Sequence, residues 1–314
     1  MCTTKEILEN DKCFFPFVGQ QRRKKSRYKI YTCKTSSKQY TRRIMDYVTE
    51  NNKILKECLL SNLRYGEDDF AADGILNKGE PYQTEFGSCK DESGTENELW
   101  EHAPLRILFI TKDQNAGGEG AWDIRAETGR VSLEGDTIPL AFYRNLMYLL
   151  YGLVHTTDKQ VCDYTFSNAD AIHLYDTYPL ARINVKKQAG GSSISNNKLR
   201  YYLQRDRELI CKQISNLDTD IMVCCGYSES VENTGNLLLN FLSENGYSFE
   251  PFSQNCWVYY DSTHNKVAIN TYHLSARKSS EMIFTEMMAD YHAFLRKNPQ
   301  FFANNSRYNI NNLY

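Results

Sequence analysis

An α/β protein is the fold the sequence predicts: a three-layer αβα sandwich with a central, mostly parallel four-stranded sheet, plus an N-terminal extension. Three observations predict it. Four short apolar runs recur beyond residue 100, at 105–111 (LRILFIT), 171–175 (AIHLY), 220–225 (DIMVCC) and 267–272 (VAINTY). They are nearly continuous rather than alternating, as in strands buried on both faces. Between them, and after the last, helical periodicity appears at about 139–154, 197–216, 230–245 and 278–296. Strands alternating with helices in this way build a parallel sheet covered on both faces.

The N-terminal extension, residues 1–100, reads as partly helical, basic and then acidic. Arg22, Arg23, Lys24 and Lys25 precede Tyr28, Tyr31 and Tyr40, and a helical stripe of Ile44, Tyr47, Ile54, Leu55, Leu59 and Leu60 follows. Residues 84–101 turn acidic and polar, with Gly87, Ser88, Ser93 and Gly94, which reads as a linker or exposed loop. The α/β domain then spans 101–314. Its first helix carries a core stripe of Leu140, Tyr143, Leu146, Met147 and Leu150, and the strand-like segment Trp257–Tyr260 is expected to hairpin onto the last strand.

A chain of 314 residues can bury a large core, and a net charge of −2 means that any attraction to phosphate must come from local clusters. No run approaches the roughly eighteen apolar residues of a membrane span, and Met1–Glu6 has no signal-peptide core, so a soluble, cytoplasmic protein is expected. The ten cysteines include no Cys-x-x-Cys pair, which fits reduced, buried thiols better than zinc or a redox centre.

Open parallel sheets bind ligands outside the carboxyl ends of their strands. Those exits are Thr111–Asn115, Asp176–Pro179, Gly226–Ser228 and His273–Ser275, so Asp113, Asp176 and His273 are expected to converge. Gly117, Gly118 and Gly120 suggest a phosphate loop, but Asp123 stands where a third glycine is needed and no Gly-Lys-Ser/Thr occurs. No nucleotide cofactor is expected. A serine hydrolase is disfavoured, because there is no Gly-x-Ser-x-Gly and Ser275 is too close to His273 in sequence to be its partner.

The three exits resemble the uracil-DNA glycosylase superfamily, most closely its single-strand-selective monofunctional branch. A first motif like Gly-Met-Asn-Pro-Gly is matched by Thr111-Lys112-Asp113-Gln114-Asn115, with Asp113 where that branch has Asn and another has Asp. A second, like His-Asn-His-Cys-Pro-Leu, is matched by Tyr175-Asp176-Thr177-Tyr178-Pro179-Leu180. A third, like His-Pro-Ser-Pro-Arg-Asn, is matched by His273-Leu274-Ser275-Ala276-Arg277-Lys278. The resemblance runs from about residue 103 to 297, with Gln114, Leu274 and Ala276 replacing the prolines of the first and third motifs.

The resemblance implies a monofunctional DNA glycosylase, a monomer without metal or cofactor. Its partner would be DNA containing a modified or damaged base, which it flips out and hydrolyses from deoxyribose. Asp113 would position water and offset oxocarbenium charge, and His273 would donate to the leaving base. Asp176, Trp122, Lys112 and Asn115 would surround the base. A protonated Asp176 would match cytosine N3 and N4–H, which points to a modified cytosine, as in phage DNA, and to a defence role. Uracil excision in repair is the alternative, and a catalytically silent DNA-binding module of the same fold is another. Leu274, Ser275, Arg277 and Lys278 resemble a DNA-inserting loop. Lys186, Lys187, Ser192 and Ser193 suit phosphate contacts. Plainer readings remain open: Asp113 as a turn cap, His273 as a hydrogen-bonded surface residue, Asp176 in an Asx-turn before Pro179, and Trp122 packed on its own scaffold.

Overall fold

A computed structural model describes residues 46–61, 70–78, 81–84, 87–90, 95–113, 123–126, 137–191, 193–230, 232–305 and 307. Ile44–Tyr314 form one compact unit, so the described residues ahead of 101 belong to the α/β body and not to a separate extension. In chain order the elements begin α1 (Tyr47–Ser61), β1 (Gly74–Ile75), β2 (Pro81–Thr84), β3 (Gly87–Lys90), α2 (Thr95–His102), β4 (Ile107–Thr111) and α3 (Ala141–His155). Next come α4 (Asn168–Thr177), β5 (Ala181–Asn184), α5 (Asn196–Arg205), α6 (Arg207–Leu217), β6 (Ile221–Tyr227) and α7 (Thr234–Glu244). The order closes with β7 (Glu250–Pro251), β8 (Val258–Asp261), β9 (Lys266–Tyr272), α8 (Ser280–Lys297) and α9 (Gln300–Ala303).

Among the described residues the main sheet has seven strands, ordered β1-β5-β4-β6-β9-β8-β7, where the sequence predicts four. The inner quartet β5-β4-β6-β9 is parallel, and β1, β8 and β7 add antiparallel edges. The expected hairpin of residues 257–260 is β8 against β9. The two-residue strands β1 and β7 are too short to leave a periodic signal, and β2 and β3 pair apart from the main sheet.

Burial on both faces explains the continuous apolar runs. Ile107 and Phe109 of β4, Val223 and Cys225 of β6, and Val267 and Ile269 of β9 join one core with α3, α4 and α8. Leu108, Ile110, Met222, Cys224 and Ala268 join a second core with α5, α6 and α7. Trp100 of α2 lies in the second core and donates its indole N–H to Leu217 O at 2.9 Å, so 84–101 is not simply a linker.

One predicted strand is wrong in kind. Residues 171–175 lie inside α4, and the second inner strand is β5, which begins after Pro179. The Ser167 side chain accepts from the Asp170 N–H while the Asp170 carboxylate accepts from the Ser167 N–H, a capping box that starts a helix. Ala171 and Tyr175, four apart, supply its buried stripe. The predicted helix 197–216 is two helices, α5 and α6, meeting at Asp206. No helix among the described residues is long and apolar enough to cross a membrane.

Candidate functional site

The carboxyl ends of β4, β5, β6 and β9 define one edge of the sheet, and four sequence-predicted residues, Lys112, Asp113, Lys186 and His273, gather there. Asp113 follows β4. Its carboxylate lies 3.5 Å from the Lys186 ammonium beyond β5, and both side chains are largely buried. Lys186 Nζ also donates to Ala189 O at 3.1 Å, so the cation is fixed from two sides. Gly190 closes this corner: a Cβ there would meet Asp113 Oδ2 and Lys186 Nζ, so any larger residue would push these two side-chain ends aside. Burial pushes the Asp113 carboxyl above its ordinary value, while Lys186, Lys112 and Lys198 pull it back.

His273 follows β9. The Ser275 N–H donates to His273 Nδ1 at 3.2 Å, so in the neutral ring the proton sits on Nε2, which is left as a donor. Burial first, and the nearby charge of Lys112 second, hold the His273 pKa down to about 4. The imidazole is therefore neutral at physiological pH. Burial also lowers the Lys112 pKa, with Asp113 opposing the shift. Lys112 thus acts electrostatically on both Asp113 and His273, and the three belong to one neighbourhood.

Beneath them runs a polar row absent from the sequence reading. Thr111 pairs in register with Asn184, and Cys225 pairs with Thr271. The Thr111 hydroxyl donates to Asn184 Oδ1 at 2.5 Å, and the Asn184 N–H donates to Asp73 Oδ2 at 2.7 Å. Asn184 Nδ2 and Thr271 Oγ1 are buried without a hydrogen-bond partner. Buried orphans cost about 1–3 kcal/mol each, and these two are among several such atoms distributed over the described residues. The misplaced strand hid Asn184; with β5 at Ala181–Asn184, it is the last residue of an inner strand, where ligand contacts are expected.

Asp176 does not join this group. It lies in the last turn of α4, and β5 then enters the sheet at Ala181 opposite Leu108, running four residues before Asn184 meets Thr111. The Tyr178 hydroxyl accepts from the Leu105 N–H and donates to the Leu105 carbonyl, at 3.1 and 2.7 Å. These contacts fix the end of α4 at the amino ends of the strands, across the sheet from Asp113 and His273.

Three expected DNA contacts are instead interior, the first being Lys186, which is buried and paired with Asp113 rather than open to phosphate. Leu274 is 1% exposed within the first core, and its carbonyl accepts from Asn145 Nδ2 at 2.6 Å, so it is not an inserting residue. Lys187 is fully buried and paired with Asp73 at 2.6 Å, and so is unable to reach phosphate. Ser193, Ser275, Arg277 and Lys278 are exposed, with Lys278 held by Glu229 Oε1 and Tyr272 OH, each at 3.1 Å. Asn115, Trp122, Ser192 and the Arg22–Lys25 cluster lie outside the described residues.

Among the described residues no group of three or more His, Cys, Asp or Glu side chains is arranged to hold a metal ion. No protein-family model matches the chain, and no curated protein matches it in sequence.

Proposed function

We propose that the chain is a DNA glycosylase of the uracil-DNA glycosylase kind, acting on a flipped-out base with an exocyclic carbonyl. One observation carries the reading: a carboxylate, Asp113, and a neutral histidine donor, His273 Nε2–H, stand at exits of one parallel sheet, with Lys112 between them electrostatically. Breaking the bond between base and sugar leaves positive charge on deoxyribose and negative charge on the base. Asp113 offsets the first and orients water toward C1′. His273 answers the second with a hydrogen bond that strengthens as the bond breaks. A neutral imidazole can fill this role, since with Nδ1 accepting from the Ser275 N–H its Nε2–H is already a donor.

Asp176, the residue that would favour cytosine, stands at the opposite edge of the sheet. Asn184 lies nearer and has an unpartnered amide donor, Nδ2, while its Oδ1 is engaged by Thr111. A donor fixed in this way favours a carbonyl oxygen such as uracil O4 over an amino group. A uracil-type base is therefore the substrate proposed.

The test incubates the protein with single- and double-stranded oligonucleotides carrying uracil, 5-hydroxymethylcytosine or its glucosylated form, then cleaves abasic sites with alkali. Cleavage at uracil is expected, with Asp113→Asn and His273→Gln each lowering the rate by about 10²–10³ while the thermal transition persists. Tight retention of the same DNA without any cleavage would instead identify a binding module.

A further inference from the structure

Lys112 has a property the hydrolytic scheme leaves unused. It occupies the first position beyond β4, next to Asp113, and is partly buried. Among the described residues no carboxylate forms an ion pair with its ammonium. Asp113, the obvious candidate, is turned to Lys186 and packed against Gly190. By contrast Lys186, Lys187 and Lys278 all hold acidic partners. A partly desolvated amine whose ammonium is not held by a carboxylate ion pair is how proteins prepare a lysine to attack a carbonyl. The lowered pKa of Lys112 agrees with that geometry, because a larger share of the amine is unprotonated.

We propose that Lys112 is a Schiff-base nucleophile, giving the site an abasic-site lyase activity in addition to base excision. The substrate is the ring-opened abasic deoxyribose in DNA, whose C1′ is an aldehyde. The free Nζ adds to C1′, and loss of water gives a protonated imine. A base then removes a C2′ proton; Asp113, the adjacent carboxylate with a raised pKa, is suited to accept it. The C2′–H electron pair forms the C2′–C3′ double bond, the C3′–O bond breaks, and the 3′ phosphate leaves with its electron pair. Water hydrolyses the imine, freeing Lys112 and an unsaturated aldehyde. No oxidant or reductant takes part. The inference rests on the proposed function for the kind of substrate, and it extends the monofunctional hydrolase implied by the sequence motifs.

The experiment uses the full chain and an oligonucleotide whose single abasic site was made beforehand by mild acid depurination, so that no base excision is needed. Borohydride added during incubation reduces the imine to a stable protein–DNA adduct, and peptide mapping locates the attachment. The expected result is an adduct on Lys112, together with strand scission that falls about a hundredfold or more in both Lys112→Arg and Lys112→Met. The arginine variant keeps the charge, so a merely electrostatic role for Lys112 would leave scission near the unsubstituted rate. Mapping on the unsubstituted protein decides the matter even if a variant fails to fold. Attachment at Lys186 or another amine, or no adduct above that seen with a tetrahydrofuran analogue, overturns the proposal. Excision of uracil is scored separately. Adduct without excision keeps the lyase and removes the glycosylase, and excision without adduct does the reverse.

Discussion

At the scale of single residues, the site depends on which protonation states burial imposes. His273 is held neutral down to about pH 4, against an ordinary value of 6.5. Between those values the unfolded chain binds a proton that the folded chain refuses, so His273 lowers stability as pH falls through that window. An NMR titration of the His273 ring should show no inflection near 6.5, and a base-excision profile should show none assignable to this residue there. Asp113 is balanced the other way, raised by burial and restrained by Lys186. Lys186→Met removes that restraint, so the acid limb of the pH–activity profile should move to higher pH; an unmoved limb would mean that Asp113 is not the group titrating. Gly190→Ala should lower excision by displacing the Asp113 carboxylate, while leaving the thermal midpoint within a few degrees. Asp113 and His273 were legible in the sequence because each follows a strand whose apolar run is unambiguous. Lys187 and Leu274 were not, since the partners that bury them, Asp73 and Asn145, lie more than a hundred residues away in the chain.

At the scale of elements, the misread segment shows where local pattern stops being informative. Five apolar or aromatic-rich residues such as AIHLY fit a strand or a buried helical turn equally well. The deciding signal is Ser167-x-x-Asp170 just upstream, a capping box that starts a helix. Correcting it moves Asp176 away from the site and brings Asn184 to it. A second element-level feature is the buried cluster that fastens the α1–β1 region to the sheet. Asp73 accepts from Lys187 Nζ, Gln213 Nε2 and the Asn184 N–H, and its own carbonyl accepts from Asn51 Nδ2. Asp73→Ala strands the Lys187 charge and should cost about 3–5 kcal/mol in chemical denaturation, whereas Asp73→Leu with Lys187→Met together should cost less. Asn145→Ala should cost about 1–3 kcal/mol, because the Leu274 carbonyl loses its buried donor beside His273.

At the scale of the whole molecule, the alternating pattern was sufficient for a mixed α/β body with a mostly parallel sheet, but not for its edges. The inner strands betray themselves by being buried on two faces, whereas β1 and β7 are two residues each and carry no period. The domain start was hidden for a related reason: Trp100 sits in polar surroundings of sequence and Asp73 is a charged residue in a short apolar run, and only the fold shows that both are interior. A chain beginning at Ile44 should therefore keep a single cooperative thermal transition, and one beginning at Glu101 should lose it. The strand order has a further consequence in time. β4 and β9 deliver Asp113 and His273 to the same edge, yet β9 enters the sheet last, beside β6, after all the other inner strands have been made. During synthesis a ribosome-bound chain can pair β4, β5 and β6 early, but the carboxylate has no histidine opposite it until Lys266–Tyr272 has cleared the exit tunnel. If the proposed function holds, a nascent chain should excise no base before β9 has joined β6.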